Sequence, residues 1–410
     1  MTGTSRIGIV GGAIGGLTAA IAIAQTKRFD EIIVYDRAPA EAAAHTNGRA
    51  RGRGAALLVW SNAVSALSSI GLGNAVTAAS AALHLTEVRS KDGLLLSRLP
   101  IGEWSEPFGA PTVVIRRPVL LDILERALDA TPSVVLRMGS VLRSYDLRNG
   151  GGRRGGVRLV FEDGTTEHVD ALIGADGLDS TVRRQLLGEE TSRLAGYDAW
   201  VGITPSRPDE IQSGVATATI GHGPRFWTAA LRDGAVFWYA TLPPRIGRDV
   251  RDRATLADLF SDWPAPIREL VASTPEPEII RTRIRARRPV EDWGAGPITL
   301  LGDAAHPSTP DLGQGACQAI ESAVVLGECV RDTGDIGDAF RAYERKRMPR
   351  TAAISRLSWM TSFNSSIESA VMCRMRDAAI RVGLESMART SLRWILAGHR
   401  DEHTRPQDRA

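Results

Sequence analysis

The chain has 410 residues, and its 50 basic and 47 acidic side chains leave a net charge of only +3. With 43% hydrophobic and 24% charged residues, it has the composition of a globular protein of roughly two to three domains, which excludes a wholly disordered, collagen-like or coiled-coil chain. Lys27, Lys91 and Lys346 are the only lysines, so 47 of the basic residues are arginine; they are spread along the chain and matched by acids, which disfavours a nucleic-acid platform.

The first elements read as strand, helix, strand: Arg6–Val10, Leu17–Gln25 and Glu31–Tyr35. Residues 7–26 carry no charge, but Gly8, Gly11, Gly12, Gly15 and Gly16, followed by the apolar run Ile32–Tyr35, favour this reading over a cleaved leader. An amphipathic helix is expected over 62–72, ended by Gly71, and a hairpin over 84–99 around Lys91-Asp92-Gly93. Pro118–Ala130 has helical period, with Leu120, Leu121, Leu124 and Leu128 on one side. Val134–Gly139 and Val141–Asp146 read as extended, 149–156 as a loop tip, and 157–161 and 167–173 as strands around Asp163-Gly164. From 195 to 242 the chain turns to short strands rich in Trp, Tyr and Thr, which predict an antiparallel sheet. Residues 254–273 predict helix, Ile298–Leu301 a buried strand, and 316 to about 360 and 366–397 further helices before a polar tail. Cys317, Cys329 and Cys373 make neither a disulfide framework nor a zinc spacing, so a reducing cytoplasm is expected and no metal is proposed.

Three motifs carry chemistry. Gly11-Gly12-Ala13-Ile14-Gly15-Gly16 lies between a strand and a helix, with Gly11 for the tight turn, Gly16 for close packing, and Ala13 where the fingerprint wants its middle glycine. The helix N-terminus offers N–H groups to a pyrophosphate, and Asp36, 20 residues after Gly16, is placed to accept from a ribose diol. The second motif, Gly174-Ala175-Asp176-Gly177, ends an apolar strand before a helix near Ser180. The third runs from Gly302-Asp303 through Pro307 to Gly313-Gln314-Gly315-Ala316, where Asp303 suits a polyol and the glycine amides open a helix toward an electron-rich ring edge. His306 and Cys317 lie in the same stretch and read as a loop histidine and a small core cysteine.

In this order and spacing the three motifs resemble the group A flavoprotein monooxygenases, the p-hydroxybenzoate hydroxylase-like single-chain hydroxylases, and especially their salicylate hydroxylase and 6-hydroxynicotinate 3-monooxygenase branch. The resemblance covers residues 6 to about 360. It implies an α/β fold: a Rossmann-like FAD-binding domain of the GR2 type (1–75, 105–185 and 285–355), interleaved with an antiparallel-sheet substrate domain (76–104 and 186–284). C-terminal helices (356–398) and a polar tail (399–410) complete the expected organisation.

By the same resemblance Gly11, Ala13, Ile14, Gly15 and Gly16 bind the ADP half of FAD with Asp36, while Arg37 lies over its adenine end. Asp176 serves FAD and the pyridine nucleotide, and Gly302 and Asp303 hold the ribityl chain. Arg53 and Arg117 flank the pyrophosphate and ribityl region, Leu142 matches an adenine-contacting backbone position, and Pro307, Gly313, Gln314, Gly315 and Ala316 line the isoalloxazine.

The implied reaction inserts one oxygen atom from O2 into an aromatic or other electron-rich small molecule through a C4a-hydroperoxyflavin, with NADH or NADPH as reductant. An epoxidase, a reductase or saturase of the same fold, and a non-catalytic flavin-binding regulator are the alternatives. No catalytic base is assigned; Tyr197, His222, Trp227, Trp238 and Tyr239 lie on the expected substrate sheet. Ala13 and Ala56 replace glycines, Asp311 replaces a frequent Asn, and Val201 stands where many relatives carry Arg, which points to a less acidic substrate than a simple carboxylate. No nucleic acid and no integral membrane association are expected, and the chain is read as a monomer or homodimer. The stripe Val371, Met375, Ala379 and Val382 is expected to cap the FAD domain, with packing on a second subunit as the alternative.

Overall fold

A computed structural model describes residues 5–39, 56–148, 156–363 and 367–400. Arg53 and most of the loop at 149–156 lie outside them. The helices that bear on the site are α1 (Ile14–Ala24), α2 (Ser61–Ser69), α3 (Arg117–Asp129), α4 (Thr181–Leu187), α5 (Gly315–Asp332), α6 (Ile336–Ser362) and α7 (Ala370–Ala397).

A six-stranded sheet runs in the order Gly294–Ala295, Ile298–Leu300, Ala171–Gly174, Arg6–Val10, Glu31–Asp36, Val134–Met138. Its last five strands are parallel and the first is an antiparallel edge. Ile7, Ile9, Ile32, Ile33, Val34, Leu172, Ile173 and Leu300 are all fully buried, because a parallel sheet is covered on both faces. Each such side chain contributes about 1.5–3 kcal/mol on leaving water. Helix α1 is buried along nearly its whole length, and its small residues let α5 lie close against it. A Cβ at Gly327 of α5 would stand only 2.8 Å from that of Ala22. This packing fixes the N-termini of α1 and α5 relative to each other.

The stretch expected to be antiparallel forms part of a seven-stranded sheet, in the order Ile280–Ala286, Arg193–Thr204, Val236–Leu242, Arg225–Ala230, Val215–Ile220, Leu85–Ser90, Leu95–Leu99. The pairing of Val215–Ile220 with Leu85–Ser90 is parallel, and it ties the early hairpin to the later strands. One face packs Trp200, Phe226, Trp238 and Leu242 against two short helices, Arg253–Asp258 and Ile267–Ser273. The single helix expected over 254–273 is thus broken in two. Pro264 and Pro266 fall at the break, where the missing N–H donors do not support a continuous ladder. Two three-stranded sheets complete the strands: Thr166–Val169, Gly156–Phe161 and Leu142–Arg148; and Ala56–Val59, Val113–Arg116 and Ala81–Ala82.

Helix α7 corrects an expectation. Val371, Met375 and Val382 are 65%, 62% and 91% exposed and Ala379 is exposed too, so the stripe caps nothing among the described residues. Cys373 and Ile395 on the opposite face, with Leu392 and Leu396 in the last turns, are buried, and the helix docks on Leu95–Leu99, α2 and the Ile101–Ser105 turn. Among the described residues no helix is long and apolar enough to cross a membrane.

Candidate active site

At the first motif the backbone passes too close for side chains. Gly11 has φ +111°, and a Cβ there would lie 2.2 Å from the carbonyl oxygen of Ala175; one on Gly16 would lie 1.9 Å from the oxygen of Gly11. Ala13 is the extended N-cap of α1 and is exposed, so its methyl meets open space, which explains why the middle glycine is dispensable. Helix α1 has no capping side chain and no acid in its first turn, leaving the amides around Ile14, Gly15 and Gly16 without a side-chain cap at its positive end. Asp36 stands at the mouth of this turn, its carboxylate accepting from Gly12 N at 2.7 Å and Ala38 N at 2.8 Å. Arg37 beside it is exposed. Leu142 is buried at the start of its strand.

Asp176 behaves differently. Its carboxylate accepts from Thr181 N at 2.7 Å, Val182 N at 3.2 Å and the Ser180 hydroxyl, so it caps α4 from within the chain. Burial pushes its pKa up. Its side chain organises the turn, while the turn's backbone edges the cleft.

Across the cleft Asp303 lies deep among protein atoms, yet its side chain faces open space. Those surroundings push its pKa up, and Arg117 at the start of α3 pulls it back. Burial in turn lowers the pKa of Arg117, which Asp303 opposes. Among the described residues neither forms an ion pair, so an opposed guanidinium and carboxylate remain available to a ligand. Pro307 is buried, and a Cβ on Gly315 would meet nothing within 4 Å, so the chain is open where α5 begins. Helix α5 also lacks a capping side chain.

Gln314 is turned away from this opening. Its Oε1 accepts from Asn62 Nδ2 at 3.3 Å and Gln318 Nε2 at 2.9 Å. Behind it lies Glu321, fully buried, bonded to Arg347 at 2.5 Å, Arg350 at 2.9 Å and Asn62 at 2.8 Å. Burial would raise the Glu321 pKa, but the two arginines hold it at about 2. Arg350 also donates to the carbonyls of Trp394 and Ile395, so this network joins α2, α5, α6 and the end of α7. His306 is buried with its pKa lowered to about 3 by burial, and its Nε2 is 3.2 Å from Ser322 Oγ. The Cys317 thiol is buried and pushed up to about 12. Cys317 is the small core cysteine the sequence suggested, while His306, read there as a loop histidine, is buried against the core.

The other face of the seven-stranded sheet packs Ile203, Ala216, Ala229 and Phe237 on Ala56, Leu83 and Val114, and beyond them it meets the loop before α5. Val201, Tyr239, Trp227, Ala218 and Val88 are direct neighbours across five strands, with Thr241 and Arg225 in the same position two residues along. Arg225 Nη2 reaches Asp311 at 2.6 Å, and its Nε donates to Thr241 Oγ1 at 3.1 Å. Tyr197 donates to the other Asp311 oxygen at 2.5 Å, and the Arg225 guanidinium stands 5.5 Å from the centre of its ring. The Asp311 side chain is completely buried. The Tyr239 hydroxyl is buried beside that of Tyr197 without a well-formed hydrogen bond. Burial raises the pKa of both tyrosines, so both keep their protons. Of the sheet candidates, Tyr197, Trp227 and Tyr239 therefore share this face. His222 is exposed in the turn between two strands, and Trp238 is on the far face, donating to Thr274 Oγ1 at 2.8 Å. Sequence reasoning passed over Arg225 and noted Asp311 only as a replacement. The available signal was the two-residue alternation that puts Arg225 beside Trp227.

Two helix starts without side-chain caps, an opposed Arg–Asp pair and glycine-lined close approaches fit an extended dinucleotide with a ring at α5. The chain matches the family model for the FAD binding domain over residues 5–358. It belongs to that family. It is an FAD-dependent monooxygenase, as its relatives are. Aurachin C monooxygenase/isomerase of Stigmatella aurantiaca is 34% identical over 91% of this chain and 93% of that protein. The 6-hydroxynicotinate 3-monooxygenase of Pseudomonas fluorescens is 28% identical over 87% and 91%. The crystal structure of Klebsiella pneumoniae HpxO with FAD and uric acid covers 97% of this chain and 98% of its own, at 26% identity and a TM-score of 0.83.

Proposed function

We propose that this monooxygenase transfers one oxygen atom from O2 to a flat, uncharged, electron-rich small molecule, with NADH or NADPH as reductant. The observation that carries this reading is the charge balance on the sheet face. Among the described residues its one guanidinium, Arg225, is neutralised by Asp311, and Val201 supplies no second cation. A free carboxylate on the substrate would find no unpaired positive partner there and would lose its hydration. Trp227 and Tyr239 instead offer aromatic area, and the Tyr239 hydroxyl, held beside that of Tyr197 without a well-formed bond, would orient a carbonyl or ring nitrogen.

When bound, FAD supplies the redox chemistry and the activation of oxygen. The protein's part is to hold it. The amides of Gly11 to Gly16 would receive the pyrophosphate, with Asp36 on the ribose and Arg37 at the adenine end near Leu142. Arg117 and Asp303 would hold the pyrophosphate and ribityl region, with Gly302 and the Asp176 turn beside them. Pro307 and the backbone of Gly313 to Ala316 would line the ring; Arg53 is assigned to the pyrophosphate by resemblance alone. Tyr197 and Asp311 fix the loop that carries that lining to the sheet that carries the substrate. This division of labour supports reading the chain as an FAD-binding part and an interleaved substrate part.

The test is a panel of neutral and anionic aromatic compounds, scored by stimulated NAD(P)H oxidation and by mass spectrometry for a product heavier by one oxygen. Neutral bicyclic or heteroaromatic compounds are expected to give both signals. Efficient turnover of salicylate, with neutral compounds inert, would overturn the assignment.

A further inference from the structure

The outward stripe of α7 takes no part in the site described. At about 100° per residue, Val371, Met375, Ala378 and Val382 fall within about 60° of one another, on a line about 17 Å long. All four are exposed, and Met372 beside them is 51% exposed. Exposed apolar side chains are normal singly, but a continuous helical line of them marks a contact surface. Arg374 and Arg381 flank this line on one side, and Arg389 and Arg393 continue it two turns further on; all four are exposed. The acids of α7 are two: Asp377, half-buried and bonded to Arg376 at 2.9 Å, and Glu385, exposed and outnumbered four to one by the exposed arginines.

Charge selects the occupant. Antiparallel pairing with a second copy would set Val371 against the partner's Val382 and Met375 against the partner's Ala378. It would also set Arg374 beside the partner's Arg381, with four exposed arginines on each copy and only Glu385 as an exposed acid to answer them. A surface that accepts apolar side chains between anionic groups removes this conflict. We propose that α7 lies on an anionic lipid surface, with Val371, Met375 and Val382 in the acyl boundary and Arg374 and Arg381 at the phosphates. The helix is already held, by Cys373 and Ile395 on its other face, by Leu392 and Leu396 in its last turns and by the bond of Arg376 to the carbonyl of Gly221 at 3.0 Å. The helix is therefore preformed and pays little ordering entropy on docking. That bond also anchors α7 to the turn leading into Arg225, so docking presents the substrate sheet's end to the membrane.

The test uses the full-chain, flavin-loaded protein in co-sedimentation with phosphatidylcholine vesicles, with or without about 30% phosphatidylserine. Binding is expected only with phosphatidylserine, and is expected to weaken in about 0.5 M salt. The double variants Arg374→Glu/Arg381→Glu and Met375→Asp/Val382→Asp should each bind at least about tenfold more weakly. Their flavin content and circular dichroism should be unchanged, since none of the four side chains is buried. Failure to bind phosphatidylserine vesicles, or binding that both variants retain, overturns the proposal. So does a stable dimer in light scattering that Met375→Asp/Val382→Asp dissociates, which would give the stripe to a second copy.

Discussion

Glu321→Gln tests the buried network behind the α5 N-terminus. The substitution keeps size and shape and removes one charge. Arg347 would retain Gln318 Oε1 at 2.6 Å and Ser322 Oγ at 3.1 Å, and Arg350 would retain two carbonyls. Breaking a buried ion pair from one side costs about 3–5 kcal/mol, and these surviving acceptors place this case near the lower end. The carboxyl itself gives a second route to the magnitude. Held at about 2 against an ordinary 4.5, it contributes about 3 kcal/mol. A depressed carboxyl stabilises fully above its ordinary pKa, and that stabilisation is lost as pH falls from about 4.5 through about 2. Urea unfolding, followed by far-ultraviolet circular dichroism and flavin release, should show the variant about 3 kcal/mol weaker near neutral pH. The gap should narrow below about pH 4. A variant within about 0.5 kcal/mol of the parent at neutral pH, or a gap that ignores acidification, would refute the reasoning.

Three further outcomes are expected. Arg117→Gln should weaken FAD binding about tenfold to a hundredfold, the scale of a lost charge-assisted contact, in a fluorescence titration of the apoprotein; unchanged affinity removes Arg117 from the site. Asp311→Asn should leave flavin content intact and cut turnover by at least about tenfold, since Arg225 loses its counter-charge; adding Arg225→Gln should recover stability, and strictly additive effects would deny the coupling. Cys317, buried and pushed up to about 12, should resist iodoacetamide at about pH 8 in the folded protein and react once unfolded, and its labelling in the native state would contradict the burial.

What could be read from the sequence was what local chemistry dictates. Gly11 and Gly16 announce themselves because their constraint comes from a turn within six residues and from the strand it touches, and no other residue type fits. The helix at Pro118–Ala130 was legible because four leucines share one side, and all four are buried. Helix α7 misled because it is apolar on two faces. Val371, Met375 and Val382 repeat with helical period, but so do Cys373, Leu392 and Ile395, and periodicity does not say which face finds a partner.

The substrate face was illegible for a different reason. Arg225 and Asp311 are 86 residues apart, and neither carries a local signature; an arginine on a half-buried strand and an aspartate in a proline loop are individually ordinary. Only the register that sets Arg225 opposite Thr241, together with the loop's approach, makes them partners. The missing arginine at 201 then acquires a different meaning. The sheet has not lost its cation. It carries one on a neighbouring strand and cancels it with a buried aspartate and a tyrosine. A site built this way uses its charge to hold the loop before α5 against the sheet; on the function proposed above, shape and stacking then carry substrate recognition, with the Tyr239 hydroxyl as a further contact.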